Sequence, residues 1–344
     1  MLKNKIVRSR APLRIGLSGG GTDLKSYYEK NSGEVINATI SKFAYAEIKE
    51  SINGPEFESI DHNIQQKYYL NNESAPIREL LLHESVYKYM IKTFCGGVNL
   101  PIKISTYCEA PIGSGLGSSS TLTIAIIKAF DTILNLGLDK YEIAELGYEI
   151  ERNICKLEGG KQDHYSSSFG GINHFTFTKD YTKTNKLPVE EWFKTEMESS
   201  MVLHFTGTSR FSDSIIKDQT ERMKTNKDKN PQDMNGLRKE AFNMKRSLLQ
   251  SDMKGITNSI KRNWEYKLKT SKLISNQNIN HIMDYAYNHG AEAAKVSGAG
   301  GGGYILFIAS AEKSYNLRAR LLEKNPDTSF VRFHDKGAYS WIIK

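Results

Sequence analysis

No apolar run in the chain is long enough to cross a bilayer. Its first residues, Met1 to Arg8, are basic but lack the apolar core of a secretion signal. Cysteine is scarce: Cys95, Cys108 and Cys155 have neither metal-ligand spacing nor the density of a disulfide framework. A reducing, cytoplasmic setting is therefore expected. Low-complexity tracts and fixed-period repeats are also missing. The formal net charge is +8, yet no basic run is interleaved with aromatics as a nucleic-acid surface would be. The densest basic region, Lys217 to Lys245, also carries Asp218, Glu221, Asp228, Asp233 and Glu240, which reads as a solvated helical face. No nucleic-acid or membrane partner is expected. A positive excess does suit a protein that handles phosphorylated small molecules.

What the chain has in quantity is glycine, in three widely separated clusters. Ser18-Gly19-Gly20-Gly21-Thr22-Asp23 follows an apolar stretch, Ile6 to Leu17, that Pro12 should split into strand, turn and strand. Gly113-Ser114-Gly115-Leu116-Gly117-Ser118-Ser119-Ser120 lies between an alternating strand pattern, Ile102 to Tyr107, and an apolar helix from Thr121. Lys295 to Gly303 precedes another strand pattern, Tyr304 to Ile308. A strand, a glycine-rich turn and a helix start together make an anion site. The first turn of the helix has unpaired N–H groups, and glycine lets backbone approach a phosphate. The serine hydroxyls at 118 to 120 are available to cap that helix or to reach a metal ion. The second cluster lacks the lysine of a Walker A loop and the glycine spacing of a dinucleotide fingerprint.

Elsewhere, Val35 to Ile40 and Phe43 to Ile48 read as two strands, and Glu79 to Phe94 as a helix. Asp139 and Glu142 form a capping-box signature opening a helix whose stripe runs Ile143, Leu146, Ile150, Ile154, Leu157 and ends at Gly159-Gly160. Phe330 to Phe333 and Ala338 to Ile343 read as a closing hairpin. Strands and helices mix without strict alternation, so the fold class is α+β. The length favours two domains, divided near residue 190 after the polar stretch Thr178 to Pro188.

With all three glycine clusters in order over nearly the whole length, the chain resembles the GHMP kinases, the family of galactokinase, homoserine kinase and mevalonate kinase. The resemblance implies an N-terminal nucleotide- and substrate-binding domain of the ribosomal-protein-S5-like type over residues 1–190. It implies a ferredoxin-like C-terminal domain over 191–344. It also implies ATP and Mg²⁺ as cofactors. Where galactokinases have Glu-His, this chain has Gly20-Gly21. That departure, with Gly159 to Asp163 and Phe205 to Arg210, looks most like kinases that phosphorylate the anomeric hydroxyl of a sugar phosphate. Two other readings stand beside it: a kinase of uncharged sugars resembling fucokinase, and a sensor that binds ligand without transfer.

The family pattern maps the phosphate loop onto Gly113 to Ser120 and the metal ligands onto Ser119 and Glu151, with Glu158 as the alternative carboxylate. On a helical wheel Glu151 falls at the edge of the buried stripe, about 80° from Ile143. Asp163 matches the base that takes the hydroxyl proton, and Arg14 matches a basic residue beside it. A cation there favours the carboxylate and offsets charge developing in the transition state. Asp23 matches a sugar-hydroxyl acceptor, although Thr22-Asp23 would equally cap a helix starting near Leu24. For the acceptor's own phosphate the candidates are Arg210 with Ser209 and Thr208, Lys161, and the Gly19-Gly20-Gly21 backbone. Gly300 and Gly301 are expected to close over the substrate.

Overall fold

The computed structural model describes residues 5–52, 54–67, 77–208, 213–225 and 230–343. Two sheets organise them. The larger runs, in spatial order, Tyr339–Ile343, Ile6–Ser18, Gly33–Glu50, Ile102–Cys108, Glu56–Ser59 and Ile64–Lys67. Ile172–Phe177 also pairs with the first part of Gly33–Glu50, and Thr182–Lys186 lies outside it. The only parallel pairing in this sheet, among the described residues, joins Glu56–Ser59 to Ile102–Cys108. The smaller sheet is wholly antiparallel, in the order Thr328–Phe330, Met201–Phe205, Tyr304–Ile308, Ala293–Val296.

Three local readings of the sequence need correction. Pro12 does not split the first strand. Ile6–Ser18 is continuous, and a register shift between Pro12 and Arg14 absorbs the missing N–H. Beyond that shift the Arg14 N–H turns away from the ladder and donates to the Leu116 carbonyl, 3.1 Å away, tying the strand to the phosphate loop. Likewise the two strands read at 35–40 and 43–48 are one, Gly33–Glu50. Its first half pairs with Ile172–Phe177 and its second with Ile102–Cys108. The expected closing hairpin does not form. Thr328–Phe330 belongs to the smaller sheet, whereas Tyr339–Ile343 returns to pair with Ile6–Arg10 in the larger one.

The main core lies between the larger sheet and the helix Ser118–Leu134, with Leu13, Ile15, Ile36, Ile124, Ile127 and Phe130 fully buried. That helix carries apolar residues on nearly all faces because it is enclosed by the sheet on one side and by helices Leu81–Phe94 and Lys140–Tyr148 on the other. Lys140–Tyr148 opens with the capping box read from the sequence: Asp139 accepts from the Glu142 N–H at 2.9 Å, and Glu142 accepts from the Asp139 N–H at 2.8 Å. The second half adds helices Asn230–Leu249 and Met253–Thr270, which pack together and onto the larger sheet. Among the described residues no helix is long and apolar enough to cross a membrane.

Candidate active site

The three glycine clusters meet around one cavity of about 350 Å³. The central cluster forms its floor. Gly113, Gly115 and Gly117 have φ near +80°, a left-handed conformation that side chains with a Cβ resist. Their alternation curls the backbone along the cavity ahead of the helix Ser118–Leu134. Contact is as important as conformation at Gly115, where a Cβ would overlap the Ser297 carbonyl oxygen of the third cluster. The Gly115 carbonyl itself accepts from Arg14 Nη1 at 2.6 Å and from Ser297 Oγ at 2.9 Å.

Gly117, in its left-handed conformation, occupies the helix cap, and none of the three serines does. Ser118 Oγ donates to the Pro111 carbonyl at 3.1 Å. Ser119 and Ser120 both donate to Glu151, Ser120 at 2.6 Å. Glu151 belongs to neither edge nor surface: it is 1% exposed. The cause lies in its own backbone. After Tyr148 the helix widens into a π turn, Glu149–Ile154, and the Cys155 N–H reaches back to Ile150 rather than to Glu151. The wider turn carries the Glu151 carboxylate into the interior. There it also takes a 2.5 Å hydrogen bond from His164 Nε2 and lies 3.5 Å from Arg152 Nη2. Burial alone would raise its pKa. The charge of Arg152, the imidazole of His164 and the Ser119 hydroxyl outweigh burial and hold it well below the usual carboxylate range.

Asp163 stands against Gly117. A Cβ on that glycine would come 3.2 Å from the Asp163 carboxyl carbon. Arg14, 3% exposed, donates to Asp163 Oδ1 through Nε at 2.6 Å and lies 2.5 Å from it through Nη2. The Asp163 side chain retains about 20% of its exposure. Asp23 does not cap the following helix. It accepts from the Gly21 N–H at 3.0 Å, from the Gln162 N–H at 3.1 Å and from Gln162 Nε2 at 3.0 Å. Burial, and then the neighbouring Asp163 charge, push its pKa up against those hydrogen bonds.

The structure therefore brings Arg14, Gly21, Asp23, Gly113, Gly115, Gly117, Ser118, Ser119, Ser120, Glu151, Asp163 and Gly300 to one cavity, with Glu158 at its wall. Ser114 and Leu116 are buried beneath the loop. Thr22 is spent on the Gly19 and Glu34 carbonyls. Gly301 is tied by its N–H to Ile274 and by its carbonyl to Asn276. Lys161 points elsewhere, to Glu145 at 2.7 Å. Arg210 and Ser209 lie outside the described residues. Sequence reasoning missed Gln162, His164, Arg152 and Lys267. Gln162 and His164 flank Asp163, a signal that was available; Lys267 is 247 residues from its partner Gly20 and left none.

Among the described residues no three His, Cys, Asp or Glu side chains cluster as an all-protein metal cage. Glu151 and the Ser119 hydroxyl offer a hard carboxylate and one neutral oxygen in contact. That sparse set fits Mg²⁺, which keeps several waters and takes phosphate oxygens as its remaining ligands.

Comparison with known proteins agrees with this geometry. Residues 81–171 match the GHMP kinases N terminal domain, and residues 244–327 match the GHMP kinases C terminal domain. A D-glycero-alpha-D-manno-heptose 7-phosphate kinase of Campylobacter jejuni is 35% identical over 98% of this chain and 100% of its own. A crystal structure described as a D-glycero-D-manno-heptose 1-phosphate kinase of Bacteroides thetaiotaomicron superposes with a TM-score of 0.80 at 34% identity, covering 98% of this chain and 99% of that one. Lactococcus lactis galactokinase, at 17% identity and a TM-score of 0.76, covers 98% of this chain and 95% of its own and shares the fold. With both family domains matched in order and a relative this similar over its full length, the chain belongs to the GHMP kinases, phosphotransferases with an alcohol group as acceptor.

Proposed function

We propose that the protein transfers the γ-phosphoryl group of ATP to the anomeric C1 hydroxyl of D-glycero-D-manno-heptose 7-phosphate, giving the 1,7-bisphosphate for heptose-nucleotide and surface-polysaccharide biosynthesis. The observation that carries the reading is the pair of acids at the start of the helix Ser118–Leu134: Glu151 clamped by two serines, and Asp163 held by Arg14 beside Gly117. Phosphoryl transfer asks for positioned phosphates, neutralised charge and an oriented acceptor hydroxyl. The amides of Gly113 to Ser120 hold the nucleotide phosphates. Mg²⁺, held by Glu151 and Ser119, supplies neutralisation of phosphate charge when bound. Asp163 accepts the hydroxyl proton, and Arg14 fixes its carboxylate and adds positive charge beside the transferred group. Asp23, aligned by Gln162, accepts hydrogen bonds from the sugar, and Gly300 covers the site. We place the domain division near residue 190, with Tyr339–Ile343 counted with the first domain because it pairs there.

Support for the sugar comes from two of the relatives described above, which are named for a heptose phosphate and differ on where its phosphate sits. Incubation with ATP, Mg²⁺ and each of heptose 7-phosphate, heptose 1-phosphate, fucose, galactose and mannose tests it, followed by ³¹P NMR. A second phosphorus signal coupled to the anomeric proton of the 7-phosphate is expected. Turnover of uncharged sugars alone would overturn the reading.

A further inference from the structure

Several basic side chains line the cavity, and they differ in how far they are already engaged. Arg14 is committed to Asp163 and to the Gly115 carbonyl. Arg152 leans on Glu151, Ser120 and the Leu157 carbonyl, each at 3.5 Å. Lys267 is different. It is only 7% exposed, yet its ammonium makes one long hydrogen bond, 3.4 Å to the Gly20 carbonyl, and no ion pair among the described residues. An ammonium has three donors, and burying it without a counter-charge is costly. Lys295 supplies the contrast within the same fold. It is equally buried, but it donates to the Gly16 carbonyl at 2.6 Å, lies off the cavity wall and serves to hold a strand.

The position of Lys267 follows from helix geometry. On Met253–Thr270, Asn263 donates to Ser18 Oγ at 3.1 Å. One turn later Lys267 arrives at Gly20, so the helix runs alongside the first glycine cluster. A Cβ on Gly21 would lie 3.4 Å from Lys267 Nζ, and one on Gly20 would lie 3.6 Å from Gln162 Nε2. The two glycines thus put no side chain of their own over the ammonium or over Gln162.

We propose that Lys267 binds the phosphate group that the acceptor sugar already carries, and that Gly21, beside it on the cavity wall, leaves the ammonium uncovered. The proposal rests on the sugar-phosphate reading above and supplies the cation that neither Lys161 nor the described part of the Phe205 to Arg210 segment provides. Burial lowers the Lys267 pKa to about 8, against the pull of Asp23 and with the push of Arg14. The group is still charged at neutral pH, and an arriving dianion stabilises that charge.

The test compares wild type with Lys267→Met and Lys267→Arg, using heptose 7-phosphate and the same heptose without its phosphate. Steady-state kinetics are read together with calorimetric titration of each sugar and of ATP. Loss of the ammonium is expected to lower the preference for the phosphorylated sugar, as a ratio of kcat/KM, by about 30-fold. Its calorimetric affinity should fall in parallel, ATP affinity should change less than about threefold, and the arginine variant should recover part of the loss. If the methionine variant does not fold, Lys267→Gln is read in the same way. A preserved preference, or a loss confined to ATP affinity, overturns the assignment while leaving the sugar-phosphate reading intact. A wild-type protein that prefers the dephosphorylated sugar overturns both.

Discussion

Two carboxylates line the same cavity at the start of the helix Ser118–Leu134, and the protein treats them oppositely. Glu151 is sealed: both oxygens are engaged by serine hydroxyls, an imidazole closes one side and an arginine stands behind. Asp163 is held at one oxygen by a single arginine and keeps about a fifth of its exposure. A group that anchors a metal needs fixed direction and a reliably ionised state, which dense hydrogen bonding provides. Proton acceptance requires that one oxygen stay reachable by the acceptor. The contrast is consistent with the two roles proposed for these acids.

The strongest blow to that contrast would fall on Asp163. Its replacement by Asn should cut turnover about 10³-fold while nucleotide affinity, measured by titration, stays within about threefold. Undiminished turnover would remove Asp163 as the proton acceptor. For Glu151→Gln we expect turnover about 100-fold lower, with half-saturation shifted to higher Mg²⁺. The same variant sharpens the contrast through stability. A carboxylate with a depressed folded-state pKa stabilises fully above its ordinary value near 4.5, and the benefit disappears as pH falls below it. The gap between wild type and Glu151→Gln, about 3 kcal/mol by urea unfolding at pH 7, should therefore narrow between pH 5 and pH 3.

Gly115→Ala tests the floor between the two acids. The new methyl meets the Ser297 carbonyl and forces a left-handed φ, so kcat/KM for ATP should fall about 30-fold. The smallest effect belongs to Arg8, six residues before Arg14 on the same strand. Its pair with Glu47, 2.8 Å long, is exposed. Arg8→Met should change unfolding free energy by less than about 1 kcal/mol and leave turnover as it was.

Glycine and strand patterning carried the α+β class and the three clusters, because backbone conformations open mainly to glycine leave a trace in composition. The capping box was readable for the same reason, since Asp139 and Glu142 act within one turn. Ser119, Glu151, Arg14 and Asp163 could be named through resemblance alone; their contacts span 32 and 149 residues. The helical wheel put Glu151 at a stripe edge because it assumed 3.6 residues per turn, and the π turn breaks that assumption. Pro12 misled in the opposite sense. A proline ordinarily ends a strand, but here a bulge spends the irregularity on reaching Leu116. Lys267 left no local pattern, since its meaning depends on which loop a distant helix happens to cross.

The widened turn at Glu149–Ile154 has a consequence for how this site can be lost. Removing a residue before Glu151 in that turn would restore ordinary helical winding and change the direction in which the acid at that position points. An acid could then still occupy the aligned position in a shortened sequence and yet point away from the two serines. Screening relatives for the acid alone would count such chains as competent; the extra residue in the turn is what should be counted.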